Sequence, residues 1–354
     1  MRIQSISIML PVVLFFTSCG QGSNKQNQEV NNSKLTFVKH ETENRVDVLV
    51  DGKLFTAYWW PDSVYKPILY PIIAASGTTI TRGFPIKARE GERRDHIHQV
   101  GNWLNYGNVN GYDFWGNGSE GIRNINGGQI KHLSIGELSE GNGEGSMVTT
   151  ASWVDPAGKE LLAEKTVFHF IAKDSIRIID RITSLTANTA KVTFRDTKEG
   201  MFGIRVARQL ELPSNEDMTL TDAKGNPVTV KAMSNVGVTG NYVSSEGDTG
   251  LAVWGTRAKW MDLYGSIGNE NISLVICDHP GNLSYPTYWH ARGYGLFSAN
   301  PLGVKDFTEG KDSLNYSIPA GKSLTFRYRI IISSGFHLTN KAINAYSDDF
   351  AKMY

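Results

Sequence analysis

Short alternations of apolar and polar residues run through most of the chain. In "RVDVLVDGKLFTAYWW", Val46, Val48 and Val50 alternate with polar positions, and Asp51-Gly52 marks a hairpin turn. "KTVFHFIAKDSIRIIDRITS" reads as two strands around Lys173-Asp174-Ser175, and "AKVTFRD", "GLAVWG", "ISLVICD" and "LTFRYRIIISSG" follow the same habit. The one good helical pattern lies at the end, where Ala342, Ile343, Tyr346, Phe350 and Met353 recur behind a Thr339 cap. Many short strands joined by Gly-rich loops predict an antiparallel sandwich or barrel. No Pro- or Ser-rich linker and no internal repeat interrupts 35–354, so that stretch is expected to form a single domain.

The first residues follow a different pattern. Arg2, an apolar run over 6–16 and small residues before Cys19 predict a signal peptide over 1–18. Cys19 directly after Phe-Thr-Ser resembles a lipobox, with Phe16 in place of the usual Leu. Cleavage there and lipidation of the Cys19 thiol would leave 19–34 as a polar tether. The expectation is a membrane-anchored lipoprotein in the periplasm or at the cell surface, touching the membrane only through its lipid. Cys277 would then be the remaining thiol of the 2 cysteines, so the fold must stand on its core without an internal disulfide. With 36 basic against 35 acidic residues and no like-charge block, nucleic acid is not the expected partner.

Candidate chemistry follows the histidines. Of 8 in the chain, His96, His98, His279 and His290 fall in two short segments. If "RRDHIHQVGNW" (93–103) is extended, Arg94, His96 and His98 share one face, with Asp95, Ile97 and Gln99 on the other. The same rule puts Tyr288, His290, Arg292 and Tyr294 of "PTYWHARGYG" on one face. "SLVICDHPGN" carries a strand into Asp278, His279 and, beyond Pro280-Gly281, Asn282. "FRDTKEGMFGIRVA" places Glu199 in a Gly-flanked loop. Taken singly, each stripe reads better as a hydrogen-bonded structural feature than as a site. Taken together, they predict one polar pocket on a sheet face.

Two chemistries suit such a pocket. His96 and His98 are candidate ligands for a divalent metal, with His279 or His290 as a third. Without metal, His279 or His290 serves as acid or base with Glu199, while Arg94 and Arg292 bind a carboxylate or stabilise an oxyanion. Aromatic and amide groups crowd "NWLNYGNVNGYDFWGNG", and flat apolar faces beside amides suit sugar rings. Trp103, Asn105, Trp115, Asn282, Tyr288 and Tyr294 are therefore candidate saccharide contacts, although core packing and Asn-Gly turns account for such residues too.

Five stretches resemble the bacterial PmoA-like family: "YKPILYPIIAASGTTITRGFPI", "RRDHIHQVGNWLNYGNVNGYDFW", "KEGMFGIRVA", "VWGTRAKWMDLYG" and "CDHPGNLSYPTYWHARGYGLFSANPLG". Together they span roughly 65–303, in order. That family shows Asp-His-Pro-His-His-Arg-Gly in the second stretch. Asp95, His96 and His98 match, whereas Ile97 stands for Pro and Gln99 for His. The resemblance implies a β-sandwich protein of sugar catabolism. The combined expectation is an all-β fold, a large antiparallel two-sheet sandwich of the galactose-mutarotase-like (supersandwich) kind with a short C-terminal helix. Its expected role is an enzyme acting on a saccharide or glycoside, as hydrolase, lyase or epimerase. The alternatives are a glycan-binding lipoprotein without chemistry and a His-ligated metal redox protein.

Overall fold

The computed structural model describes residues 33–116, 126–231 and 235–354. The expected signal peptide, Cys19 and nearly all of the expected tether lie outside the described residues. Among the described residues, two large antiparallel sheets carry the fold. The nine-stranded sheet runs Tyr288–Ala291, Leu296–Asn300, Gly200–Arg205, Asn102–Tyr106, Ile68–Ile72, Lys53–Trp59, Arg45–Val50, Lys34–His40 and Gly141–Asn142. The eight-stranded sheet runs Asn241–Ser244, Trp260–Ile267, Glu270–Asp278, Lys322–Ser334, Ile176–Ala187, Glu160–Lys173, Glu144–Val154 and Gln129–Ser139. Both hairpins expected from the alternation form in register. Val50 pairs with Lys53 across Asp51-Gly52, and Ile176 pairs with Lys173. No described helix is long and apolar enough to cross a membrane.

The inner faces of the sheets meet in one apolar core. Phe55 packs edge-on to Phe170 at 6.1 Å, and Phe202 stacks on Tyr328 at 4.7 Å. Period-two geometry then dictates what faces outward. In Gly200–Arg205, Met201, Phe202 and Ile204 belong to the core, while Gly203 and Arg205 are left on the outer side. In Asn102–Tyr106, Leu104 and Tyr106 point in and Trp103 packs outside, in a separate cluster with Trp115 and Leu296.

The two outer faces are finished differently. The C-terminal helix, Asn340–Met353, starts at Thr339, whose hydroxyl accepts a hydrogen bond from the Ala342 N–H. It lays Ile343 and Phe350 over Trp260, Val275, Cys277 and Ile331 of the eight-stranded sheet. One expected strand is absent. "GLAVWG" forms a single 3-10 turn, Gly250–Val253, because Gly250 (φ 61°) and Gly255 (φ 76°) adopt left-handed backbone and leave too few residues between them to pair.

Candidate functional site

A pocket of about 980 Å³ opens on the outer face of the nine-stranded sheet. It lies over the strands that contain His290 and Gly200–Arg205, and its lining includes His96, His98, Trp115, Glu199, His290, Arg292 and Tyr294. Parts of the 93–99 and 288–294 stretches meet here, without the extended geometry expected of the first. Residues 94–100 are not a strand: His96 has left-handed backbone (φ 43°) and its carbonyl accepts from the Gln99 N–H in a turn.

Arg82 imposes that shape. Its guanidinium is fully buried and donates to the carbonyls of Arg93, Asp95, His96 and Gln99 as well as to Asp95 Oδ1. A buried cation needs acceptors, and winding this loop around it supplies them. Arg205 closes the network from the sheet, donating to Asp95 Oδ1 and Gln99 Oε1 at 2.6 Å each. Burial works against ionisation of Asp95, yet contacts to His96, Arg205 and Arg82 hold its carboxyl well below the usual carboxylate range. The other carboxylate oxygen lies 3.2 Å from His96 Nδ1. The His96 ring stacks on Tyr294 with centroids 4.8 Å apart and planes 7° from parallel, and Arg205 sits over Tyr294 at 4.8 Å. A left-handed backbone at a non-glycine residue costs of order 1 kcal/mol, and this closed circuit offsets it.

The floor is aromatic. Trp115 meets Trp103 edge-on at 5.5 Å and lies nearly parallel to His290 at 6.2 Å. Asp113 places Trp115 by accepting the N–H groups of Trp115 and Gly116 at Oδ1. Gly203 is required beneath, since a Cβ there would stand 2.7 Å from the Trp103 ring. Glu199 is held where the Gly107 N–H donates to its carbonyl at 2.7 Å, and a Cβ on Gly107 would come within 2.8 Å of the Glu199 Cβ. Burial raises the proton affinity of the Glu199 carboxyl, against the pull of Lys198, whose Nζ is 3.5 Å away, and of His96. His290 is 2 % exposed. Burial first, and then Arg292, push its pKa down to about 3, so the ring is neutral in ordinary buffers. It bonds to the Lys198 backbone, and its Nδ1 has no partner.

Several expected contacts do not reach the pocket. Arg94 turns away, donates to the Gly225 carbonyl and covers Phe84, because the 93–99 loop is not extended. Arg93 lines the pocket instead, locked to Glu211 at 2.7 Å. His279 directly follows the strand Glu270–Asp278 of the eight-stranded sheet, edge-on to Phe350 of the C-terminal helix at 5.1 Å. Its Nδ1 accepts the Gly281 N–H. Asn282 is spent on Asp278 and on both backbone groups of Arg327. Trp103 is fully buried beneath Trp115, and Asn105 is buried and donates to the Phe114 carbonyl. Tyr288 follows the face of His290 but stacks on Phe307 under Arg257, beyond the rim. His96 and His98 have ring centroids 5.8 Å apart at 74°. Among the described residues, no group of three or more His, Cys, Asp or Glu is arranged to hold a metal ion.

Residues that the sequence argument missed complete the pocket. The segment 212–216 and Leu251 form a wall with no chemical signature in the sequence. Arg82 and Arg205 lie inside the stretches that resemble the family, and Asp95 was expected to face away from His96. Two arginines within otherwise apolar strand patterns were the available signal, since a buried guanidinium demands a carboxylate.

A family model matches residues 45–348. The chain belongs to a family of unknown function, DUF6807. No curated protein matches it in sequence. Among solved structures, it is similar to a GH36 α-galactosidase from Geobacillus stearothermophilus in complex with stachyose, at 8% identity and a TM-score of 0.38. The match covers 85% of this chain, which spans only 40% of that protein. It is also similar to a putative aldose 1-epimerase from Escherichia coli K12, at 10% identity and a TM-score of 0.28, over 84% of this chain and 98% of the other. A galactose mutarotase related enzyme from Lactobacillus acidophilus matches at 8% identity and a TM-score of 0.26, over 86% of this chain and 98% of the other.

Proposed function

We propose that this chain is an enzyme that moves protons on a saccharide bound in the outer-face pocket. The observation that carries the reading is the convergence of Glu199, the Asp95–His96 pair and neutral His290 around the Trp115 floor. A sugar ring lies above Trp115, which is 3 % exposed, and His290 lines the pocket beside it with a buried, unpartnered Nδ1. Glu199, whose proton affinity burial has raised, takes the proton as general base. His96 is the second proton carrier, because stacking on Tyr294 fixes the ring and the Asp95 carboxylate, 3.2 Å from Nδ1, balances the charge of the protonated ring. Hydrolysis of a glycosidic bond ordinarily uses two carboxylates. The other carboxylate near the floor, Asp113, is committed to its own turn. Proton-transfer chemistry, epimerase or lyase, therefore suits the site better than hydrolase chemistry. The resemblance to PmoA-like proteins points to sugar metabolism as well.

Glu199→Gln tests the reading on a panel of saccharides. Turnover should fall by about 10²–10⁴-fold, the usual weight of a general base, while binding measured by titration calorimetry persists. In the wild type, activity should be lost as pH falls through the raised Glu199 pKa, above the ordinary value of about 4.3. His290, at about 3, adds no limb in that range. A wild type that binds sugars but turns none over identifies a glycan-binding protein without chemistry. The lipid anchor on Cys19 is part of the same proposal, and palmitate labelling lost in Cys19→Ala supports it.

A further inference from the structure

Arg292 is the pocket-lining cation that no described carboxylate pairs with. Arg93 is neutralised by Glu211, and Lys198 faces Glu199. Arg292 forms no ion pair and lies half-buried with its guanidinium over the Trp254 ring at 4.8 Å. Its backbone is fixed by the turn between Tyr288–Ala291 and Leu296–Asn300, where its N–H donates to the Leu296 carbonyl and its carbonyl accepts from Gly295. The side chain is thus presented by a rigid element beside His290, and its field is felt there.

The lining carboxylates do not match it. Asp113 is held by two N–H groups, Glu199 faces Lys198, and Glu216 is exposed and forms no ion pair with Arg292. A guanidinium with one face on an indole keeps its planar donor fork free, and that fork fits a carboxylate with two parallel hydrogen bonds. Beside it stand the partnerless Nδ1 of His290 and the Trp115 floor.

We infer that the pocket takes an acidic saccharide, a uronate unit whose carboxylate pairs with Arg292. The inference rests on the saccharide reading above and adds the charge of the substrate to it. Glu199 then acts on a sugar whose carboxylate is already neutralised.

The test separates charge from shape. Methyl glucuronide and methyl galacturonide are titrated into wild type and compared with their uronamides, which have the same shape without the charge. The 6-sulfates and the neutral methyl glycosides complete the set. One uronate should bind roughly tenfold or more tightly than its uronamide, as expected for a charge-assisted pair. Arg292→Gln should erase that ratio while leaving uronamide binding in place, and Arg292→Lys should restore part of it. Thermal melting confirms that the variants fold. Equal affinity for uronate and uronamide, a preference for the sulfate, or a ratio that survives Arg292→Gln overturns the inference and leaves the saccharide reading standing. Failure of every sugar to bind overturns both.

Discussion

His290 and His279 make a useful pair. Both are almost fully buried, and both have their pKa lowered by burial and then by an arginine, Arg292 for one and Arg327 for the other. Their surroundings differ. His290 looks into an open pocket from the nine-stranded sheet. His279 is closed off by Phe350, with Nδ1 capping the Gly281 N–H. The arginines of the two outer faces show the same contrast. Arg329, under the helix, has both ends of its fork on Asp180 at 2.6 and 2.8 Å and further contacts to Asp349 and the Tyr346 carbonyl. Among the described residues, Arg292 has an indole face and no carboxylate partner. The same residue types clamp a helix on one sheet and stay open to a ligand on the other, and whether an element covers them makes the difference.

Breaking the clamp should give the largest change in stability. Arg329→Met leaves Asp180 buried without its cation, and removing one partner of a buried pair costs about 3–5 kcal/mol. Urea denaturation should show that loss, while turnover per folded molecule stays close to wild type. Glu199→Gln should do the reverse, with turnover lost and the denaturation midpoint unchanged. A variant of either kind that moved both quantities together would mean that the two faces are not independent.

The covered face should also carry a pH dependence of stability. Asp262 is 2 % exposed, next to Trp260 in the same strand. Burial pushes its pKa up to about 8, although the Ser273 hydroxyl donates to it. A carboxyl with a raised folded pKa stabilises fully below its unfolded value of about 3.9, and that contribution is lost as pH rises toward about 8. Wild type should therefore lose on the order of a few kcal/mol relative to Asp262→Asn between those limits. Asn keeps an acceptor for Ser273 and does not titrate. Parallel stability curves for the two proteins between pH 4 and about 8 would show that Asp262 does not bind its proton in the folded state.

Much of the fold was legible because it follows local rules. Alternation marked the long strands, Asp51-Gly52 marked its hairpin, and Thr339 with Ile343 and Phe350 marked the helix. The site was legible in composition more than in geometry. His96 and His98 do line one pocket, but Arg82 gathers their loop from eleven or more positions upstream, and no spacing within 93–98 encodes that. Asp95 was placed on the wrong side for the same reason. A strand rule sent it away from His96, whereas the turn brings the two within 3.2 Å. His279 was drawn into the site because a strand end is a common place for function. The residue that closes it, Phe350, lies more than seventy positions on, in a helix that the pattern found without revealing what it would cover.

The smallest expected effect is the sharpest test of that last contrast. His279→Ala removes the acceptor for the Gly281 N–H and the edge contact with Phe350. A neutral hydrogen bond contributes about 0.5–1.5 kcal/mol, and a ring contact adds a similar amount, about 0.5–1.5 kcal/mol. The melting midpoint should fall by several degrees at most. His279→Asn keeps an oxygen near the position of Nδ1 and should recover the hydrogen-bond share but not the ring share. Turnover should remain within about twofold of wild type in both variants, since His279 does not line the pocket. His290→Asn is the matched control, because it removes a ring that lines the pocket and touches nothing of the helix. Loss of turnover in His279→Ala, at a temperature where the variant is fully folded, would put the chemistry on the covered face and reverse the assignment of the two histidines.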